Sequence, residues 1–161
     1  MSPKPCAPAE VLIGVISDTH GLLRPEAIEA LRGVNHILHA GDVGDPWILD
    51  SLRELAPVTA IRGNIDAHGP CSQLPATEVV TLRGKTFYML HDRHALDLDP
   101  GAAGFAAVIS GHSHRPLIEW RQGILYLNPG SAGPRRFSLP ISLARVTIVA
   151  GSLQPQLVTL P

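Results

Sequence analysis

Aromatic residues and cysteines are scarce in this sequence. Phe, Trp and Tyr make up 4% of its 161 residues, so we expect a hydrophobic core built from Val, Ile, Leu and Ala. The two cysteines, Cys6 and Cys71, are far apart and form no CxxC pair. This argues against a disulfide framework and against a thiolate zinc site.

Excess charge and long hydrophobic runs are also missing. Thirteen basic and fourteen acidic residues leave a formal net charge of -1, which gives no basic surface for a nucleic acid or an anionic membrane. The first apolar run, Val11–Ile16, is far too short to span a bilayer, and no apolar segment of a signal peptide precedes it. We therefore expect a cytoplasmic protein that binds neither membranes nor nucleic acid.

The composition that remains is that of a folded protein. Hydrophobic residues make up 45% and charged residues 17%, and the length is that of one domain. We predict a disordered leader over residues 1–10 and a single domain over residues 11–161. Glycine and proline number 15 each and predict many tight connections, while eight histidines suggest metal or acid–base chemistry.

The first half of the chain has the pattern of alternating strands and helices. Val11–Ile16 is a continuous apolar run, typical of a strand that is buried on both faces. Pro25 begins a predicted helix, and Asp45 followed by Pro46 forms the N-terminal cap of a second one. Two further strands are predicted, over residues 37–40 and 58–61. This β-α-β-α-β order predicts parallel pairing.

The second half of the chain is predicted to be mainly β. Hairpins are indicated by Arg83-Gly84-Lys85 and Arg121-Gln122-Gly123, and a third strand pair by Gly151-Ser152. A buried strand is predicted over residues 106–109, and Asp99 is predicted to cap a short helix before Gly104. We expect an α/β protein in which two sheets pack face to face with helices outside them.

Residues that can bind a metal ion are grouped at the carboxyl ends of five predicted strands. Open α/β sheets bind their ligands at this edge. They are Asp18 with His20, Asp42, Asn64, His91, and His112 with His114. This mixed nitrogen and oxygen set suits Mn, Fe, Co, Ni or Zn. Taken singly, an aspartate after a strand is as often a helix cap or a turn residue, so the prediction depends on the whole series.

The series Asp18-Thr19-His20, Gly41-Asp42, Gly63-Asn64, His91 and Gly111-His112-Ser113-His114 resembles the calcineurin-like metallophosphoesterases. The segment Asn128-Pro129-Gly130-Ser131 and the length resemble the small bacterial phosphodiesterase branch of that superfamily. The resemblance implies a four-layer α/β/β/α sandwich of two mixed sheets. It also implies that the protein binds two divalent metal ions. Mn is the expected metal, with Fe, Ni, Co or Zn as alternatives.

The resemblance further implies a role for each member of the series. One metal would be bound by Asp18, His20 and His114, and the other by Asn64, His91 and His112. Asp42 would bridge the two metals. A hydroxide between them would attack the phosphorus of a small soluble phosphate ester, most simply a phosphodiester.

The sequence departs from the family pattern at two places. Many members have a histidine after the asparagine ligand that can protonate the leaving group, and this chain has Ile65 there. A Gly-His pair normally follows the ligand that corresponds to His91, and this chain has Asp92-Arg93 followed by His94. Arg93 or His94 is therefore a candidate to face the phosphate.

Two further roles at the site are predicted. Asp66 is a candidate to orient His20 by accepting its ring proton. Arg135, which follows the Asn-Pro-Gly-Ser segment, is a candidate to bind substrate phosphate, together with Asn64 and Arg93.

Two other functions stay open at this point. A non-catalytic scaffold of the same fold, like the retromer scaffold subunit, would bind protein partners, and a phosphomonoesterase would share the metal chemistry. The near-neutral charge disfavours a nuclease. Assembly into a homo-oligomer is also left open.

Overall fold

The computed structural model describes residues 10–161, so the predicted leader falls almost entirely outside the described residues. The helices are α1 (Pro25–Ala30) and α2 (Pro46–Arg53), and short 3₁₀ helices cover Asn64–Ala67, Pro70–Gln73 and Arg93–Ala95. The strands are β1 (Val11–Ile16), β2 (His36–His39), β3 (Val58–Ala60), β4 (Thr77–Leu82), β5 (Lys85–Leu90), β6 (Ala107–Ile109), β7 (Leu117–Arg121), β8 (Ile124–Asn128), β9 (Ser142–Val149) and β10 (Ser152–Thr159).

The strands form two mixed sheets, as predicted, and each sheet has five strands. The first sheet has the order β10-β9-β1-β2-β3, in which β1, β2 and β3 are parallel and β9 is antiparallel to β1. The second has the order β4-β5-β6-β8-β7, in which β5, β6 and β8 are parallel and the edge strands are antiparallel to their neighbours. The parallel strands of each sheet therefore end at one common edge.

The hydrophobic core lies in three layers, which explains why β1 is apolar throughout. Ile13 and Val15 pack between the two sheets, whereas Ile16 packs on the opposite face against the helices. Gly14 lies where Leu31, at the end of α1, covers the sheet, since a Cβ on Gly14 would come within 2.4 Å of the Leu31 Cδ2 atom. The first outer layer of the sandwich is thus α1 and α2.

The outer face of the second sheet is covered by the segment 93–105. Phe105 stacks on Tyr88 of β5 with ring centroids 5.1 Å apart, and Leu96 and Leu98 pack in the same cluster. The prediction of a short helix after Asp99 is wrong. The Asp99 side chain accepts hydrogen bonds from the next backbone N–H groups, but the segment makes only turns because four residues are too few to propagate a helix.

Within residues 10–161, neither helix is long and apolar enough to cross a membrane.

Candidate metal centre

The carboxyl ends of β1, β2 and β3 meet those of β5 and β6 where the two sheets pack together. This junction brings the predicted ligands into contact although they come from five strands. The Asp18 Oδ1 atom lies 3.4 Å from His114 Nε2, 3.7 Å from His20 Nε2 and 3.8 Å from His91 Nε2. Asp18 is therefore surrounded by imidazoles from both sheets.

Asp42 occupies the second central position. Its Oδ2 atom lies 3.3 Å from His20 Nε2 and 3.2 Å from His91 Nε2. Two groups of ligand atoms are close enough together to hold one ion each, Asp18 with His20 and His114, and Asp18 with Asp42 and His91. The structure thus places Asp18 in both groups, whereas the family resemblance gives the shared position to Asp42 alone.

Asn64 and His112 lie together at the exposed side of the cluster. The His112 Nδ1 atom is 3.1 Å from Asn64 Oδ1, and the His112 ring contacts that of His91 edge-on, with centroids 5.2 Å apart. The spacing of His112 and His114 would place both on one face of a strand, but the chain forms a loop there. The two rings consequently face different partners, Asn64 for His112 and Asp18 for His114.

Within residues 10–161, four buried side-chain atoms of this cluster have no hydrogen-bond partner: Asp18 Oδ1, His20 Nε2, His91 Nε2 and His114 Nδ1. Buried polar atoms are nearly always paired, because an unpaired one costs about 1–3 kcal/mol. Imidazole nitrogens beside carboxylate oxygens are a donor set that divalent transition metals take. The residues present therefore fit a metal site.

The remaining polar atoms of the ligands are fixed by hydrogen bonds. Asp18 Oδ2 accepts from the Ser17 hydroxyl at 2.8 Å and from the His112 backbone N–H at 3.1 Å. Asp42 Oδ1 accepts from the Ile65 backbone N–H at 3.0 Å. His91 Nδ1 donates to the Ala40 carbonyl at 2.7 Å, which leaves the Nε2 lone pair for a metal. Asp18, Asp42 and His91 thus each keep one side-chain atom outside these hydrogen bonds.

The backbone of the cluster adopts a conformation that is uncommon for residues other than glycine. Five candidate ligands have positive φ angles between 47° and 71°: Asp18, His20, Asp42, His112 and His114. Such angles cost energy and gather at functional sites, where the surrounding structure enforces them. Sequence reasoning has no signal for this feature, since Asp and His also occur in ordinary turns.

Two glycines let the loops of the cluster approach closely. A Cβ on Gly111 would lie 2.1 Å from Ser17 Oγ and 2.7 Å from Asp18 Oδ2. A Cβ on Gly63 would lie 2.1 Å from Asp42 Oδ1. Both positions therefore require glycine for reasons of space, and both border a carboxylate of the cluster.

The carboxylates and imidazoles of the cluster shift one another's pKa values. The carboxylates of Asp18 and Asp42 raise the pKa of His20 to about 9, against the opposing effect of burial. Burial alone would raise the pKa of Asp42, but contacts with His20 and His91 hold it well below its usual range. Burial lowers the pKa of His114. The site therefore favours the ionised form of the Asp42 carboxylate, which is the form that binds cations.

Asp66 does not orient His20, so that prediction is wrong. Its buried carboxylate accepts three backbone hydrogen bonds, from the N–H groups of Val43 at 3.0 Å, Gly44 at 3.0 Å and Gly63 at 2.9 Å. It therefore ties the loop after β2 to the loop after β3. These are the loops that carry Asp42 and Asn64.

The predicted substrate contacts lie around the cluster. Arg93 donates from Nη1 to Glu119 Oε2 at 3.0 Å, so it faces β7. His94 is exposed and lines the same cavity as Arg93. Arg135 is exposed. The pKa of His114 is lowered mainly by burial, which the charge of Asp18 opposes, and the charge of Arg136, next to Arg135 in the chain, lowers it further. Ile65 is 40% exposed.

A buried histidine outside the predicted set also supports the site. His39 would pass for a packing residue of β2, but it links two loops by hydrogen bonds. Its Nδ1 accepts from the Gly41 N–H at 3.2 Å, and its Nε2 is 3.0 Å from the Thr19 hydroxyl, which donates to the Val43 carbonyl. The ring is therefore neutral, with its proton on Nε2, and burial lowers its pKa to about 4.

Stability below pH 6.5 is expected to depend on His39. Folding lowers its pKa from 6.5 to about 4, so between these values the unfolded chain binds a proton that the folded chain does not. The free energy of unfolding therefore decreases as the pH is lowered through this interval. We expect His39→Gln to remove roughly 3 kcal/mol of this pH dependence between pH 6.5 and 4. Denaturant unfolding of chelator-treated wild type and variant measures it. Parallel profiles for the two proteins would contradict the assignment.

Asn128 and Ser131 hold the remaining loops in place. The Asn128 amide donates to the Gly111 carbonyl at 2.9 Å and to the Ser113 hydroxyl at 3.1 Å. The Ser131 hydroxyl donates to the Asp18 carbonyl at 3.1 Å. The Asn-Pro-Gly-Ser segment thus supports the loops on which Asp18 and His112 stand. Its pattern was noted in the sequence, but its contacts could not be derived from it.

A domain model of the calcineurin-like phosphoesterase superfamily matches residues 11–151. The chain belongs to the calcineurin-like phosphoesterase superfamily. Two probable metallophosphoesterases are each 41% identical to it. The one from Methanothermobacter thermautotrophicus aligns over 142 residues, 81% of this chain and 82% of the relative. The one from Methanocaldococcus jannaschii aligns over 134 residues, 75% of this chain and 68% of the relative. The predicted family is confirmed.

Solved structures share the fold of this phosphoesterase chain. An archaeal phosphodiesterase has a TM-score of 0.77 at 22% identity, covering 93% of this chain and all of the other. Vacuolar Protein Sorting 29 from Cryptosporidium parvum has a TM-score of 0.74 at 19% identity, covering 92% and 97%. At these identities the likeness shows the fold alone, and it confirms the predicted architecture.

Proposed function

We propose that the chain is a dinuclear metal-dependent phosphodiesterase that hydrolyses a small phosphate ester. The observation that carries the proposal is the group of unpartnered buried atoms on Asp18, His20, His91 and His114, which gather where two sheets meet. The proposed ligands are Asp18, His20, Asp42, Asn64, His91, His112 and His114. The family match and the archaeal phosphodiesterase with the same fold support this function.

Each group of residues has a separate task in the proposed reaction. Bound divalent ions, Mn²⁺ foremost, would supply an activated water and neutralise charge on the phosphoryl group. Asp18 and Asp42 provide the negative charge that holds the ions, and their second oxygens are fixed by backbone and hydroxyl donors. Asn64 lies at the exposed side, where its amide can also contact a phosphoryl oxygen.

The leaving group receives no proton from position 65, because Ile65 has no titratable side chain. Asp66 is fully engaged by three backbone donors and cannot take over this task. His94 is an exposed titratable group that lines the cavity beside the site. Proton donation contributes ~10²–10⁴-fold to such reactions, so esters with good leaving groups are the substrates this site handles best.

Metal removal and reloading test the proposed function. We expect Mn²⁺-loaded protein to hydrolyse bis(4-nitrophenyl) phosphate faster than 4-nitrophenyl phosphate, and chelated protein to lose this activity and regain it on reloading. Elemental analysis should find two ions per chain. His36→Gln, at the opposite end of β2, serves as the control histidine variant and should keep both ions.

A non-catalytic protein-binding scaffold of the same fold is the alternative, and Vacuolar Protein Sorting 29 shares this fold. A reconstituted protein that retains no metal and hydrolyses neither ester would favour the scaffold. Faster hydrolysis of the monoester would instead make the chain a phosphomonoesterase.

A further inference from the structure

A groove of about 820 Å³ opens beside the metal centre on the outer face of the second sheet. It begins at Gly111 and His112, at the edge of the cluster, and extends along β7 and β8 as far as Arg121. Tyr126 and Asn128 of β8 form part of its lining, and residues 92–94 and 96 line it from the segment that covers this face. The groove is thus continuous with the proposed metal site.

The strand register places two charged side chains on the face of the sheet that borders this groove. Glu119 lies directly opposite Tyr126 in the β7–β8 pair, and Arg121 lies opposite Ile124. Because side chains alternate between the faces of a strand, Glu119 and Arg121 share a face with Tyr126. This face is otherwise apolar, since Ile124 packs there in the outer hydrophobic cluster.

Two arginines are held in place around Tyr126. Glu119 accepts from Arg93 through Oε2 and from Arg121 through Oε1. The guanidinium carbons of Arg93 and Arg121 lie 5.2 and 5.6 Å from the centroid of the Tyr126 ring. Guanidinium groups fixed in this way lose little freedom when they bind an anion, because their orientation is already set.

The charges of the groove do not balance. Its lining contains three arginines, Arg93, Arg115 and Arg121, and one carboxylate, Asp92, which lies at the metal end. The single carboxylate of Glu119 is shared by Arg93 and Arg121 and cannot neutralise both. An excess of positive charge therefore remains at the end of the groove away from the cluster.

We propose that this arginine groove binds a second anionic group, a carboxylate or phosphate, of the substrate that reacts at the metal centre. The proposal rests on the proposed function and narrows its substrate class to phosphate esters in which one alcohol carries an acidic group. Arg121 and Arg115 then act as specificity residues, and Arg93 joins them rather than contacting the reacting phosphate. Arginine is suited to this task because its planar fork matches carboxylate and phosphate oxygens.

Calorimetric binding of small phosphonates to the Mn²⁺-loaded protein tests the groove without turnover. The probes are 3-phosphonopropionate and 4-phosphonobutyrate, matched with propylphosphonate and butylphosphonate, which lack the carboxylate. We expect the acidic probes to bind at least about tenfold more tightly, as one charge-assisted contact provides. Propane-1,3-bisphosphonate shows whether the groove prefers phosphate to carboxylate.

Arg121→Gln should bring the affinity ratio of acidic to neutral probe close to one. Arg121 is exposed, so the substitution should not affect folding. Arg53→Gln, an exposed arginine of α2 that is paired with Asp50, is the matched control and should leave the ratio unchanged.

Two outcomes would overturn the arginine groove: equal affinity for acidic and neutral probes in the wild type, or a preference that survives Arg121→Gln. Failure of the proposed function has a different signature. A preference for acidic probes in a protein that hydrolyses no ester would refute the phosphodiesterase and retain the groove. Ester hydrolysis by a protein that shows no preference for acidic probes would retain the phosphodiesterase and refute the arginine groove.

Discussion

Asp42→Asn is expected to abolish phosphodiester hydrolysis and to lower the metal content of the purified protein. Asp42 Oδ2 lies between His20 and His91, while Oδ1 is held by the Ile65 N–H. An amide keeps the volume of the side chain but removes the negative charge that would hold a cation at the candidate site. Mutation of a residue that only hydrogen-bonds to a metal ligand lowers metal affinity or activity by about 10–100-fold. Since Asp42 is itself a proposed ligand, we expect its substitution to lower the activity by more than about 100-fold. Steady-state kinetics and elemental analysis measure the two effects.

Asp50→Asn is the matched control for this substitution. Asp50 is an exposed aspartate of α2 that is paired with Arg53, so the same chemical change there should leave metal content and activity at wild-type levels. An Asp42→Asn protein that retains two ions and full activity would remove Asp42 from the metal site. Retention of the ions with loss of activity would show instead that the charge serves the reaction rather than metal binding.

Asp66→Ala is expected to destabilise the fold strongly, although Asp66 is not one of the proposed metal ligands. The substitution leaves the N–H groups of Val43, Gly44 and Gly63 without their acceptor. Gly44 is exposed, so water can replace the acceptor of its N–H. Each of the other two unpaired buried donors costs about 1–3 kcal/mol, so we expect a loss of roughly 2–6 kcal/mol in the free energy of unfolding. Denaturant unfolding measures this loss. Metal content should fall as well, because the freed loops carry Asp42 and Asn64.

Asp50→Ala and Asp66→Asn complete that comparison. Asp50→Ala removes an exposed carboxylate and should change stability by less than about 0.5 kcal/mol. Asp66→Asn keeps one oxygen acceptor and should be less destabilising than Asp66→Ala. If Asp66→Ala unfolded like the wild type, the three backbone hydrogen bonds would not be important for the fold.

Local sequence patterns predicted the elements that local physics controls. The bounds of β1 match its apolar run, because both of its faces are covered in the fold. The start of α2 was predicted from Asp45 and Pro46, and the Asp45 side chain indeed accepts from the Trp47 N–H at 3.1 Å. In each case the pattern that predicts the element lies within a few consecutive residues.

Apart from the helix expected after Asp99, what sequence reasoning got wrong or missed depends on partners that are distant in the chain. Asp66 was expected to orient His20, but its partners include Val43, 23 residues away. His39 reads as one more residue of a buried strand, and only the contact with Thr19, 20 residues away, reveals its role. The arginine groove depends on Arg93 and Glu119, 26 residues apart and brought together by the second sheet. No pattern of spacing encodes such pairs.

The sequence alone identifies the residues at the strand ends, the family to which they point and the mixed nitrogen and oxygen chemistry of the candidate site. The packing of the chain sets which atoms face one another. It places Asp18 in both candidate ion-binding groups, gives five candidate ligands positive φ angles and gathers two arginines around Tyr126. The physical reason is that the site forms at the junction of two packed sheets. There the backbone of His112 binds a carboxylate 94 residues away, and packing rather than local preference sets every distance.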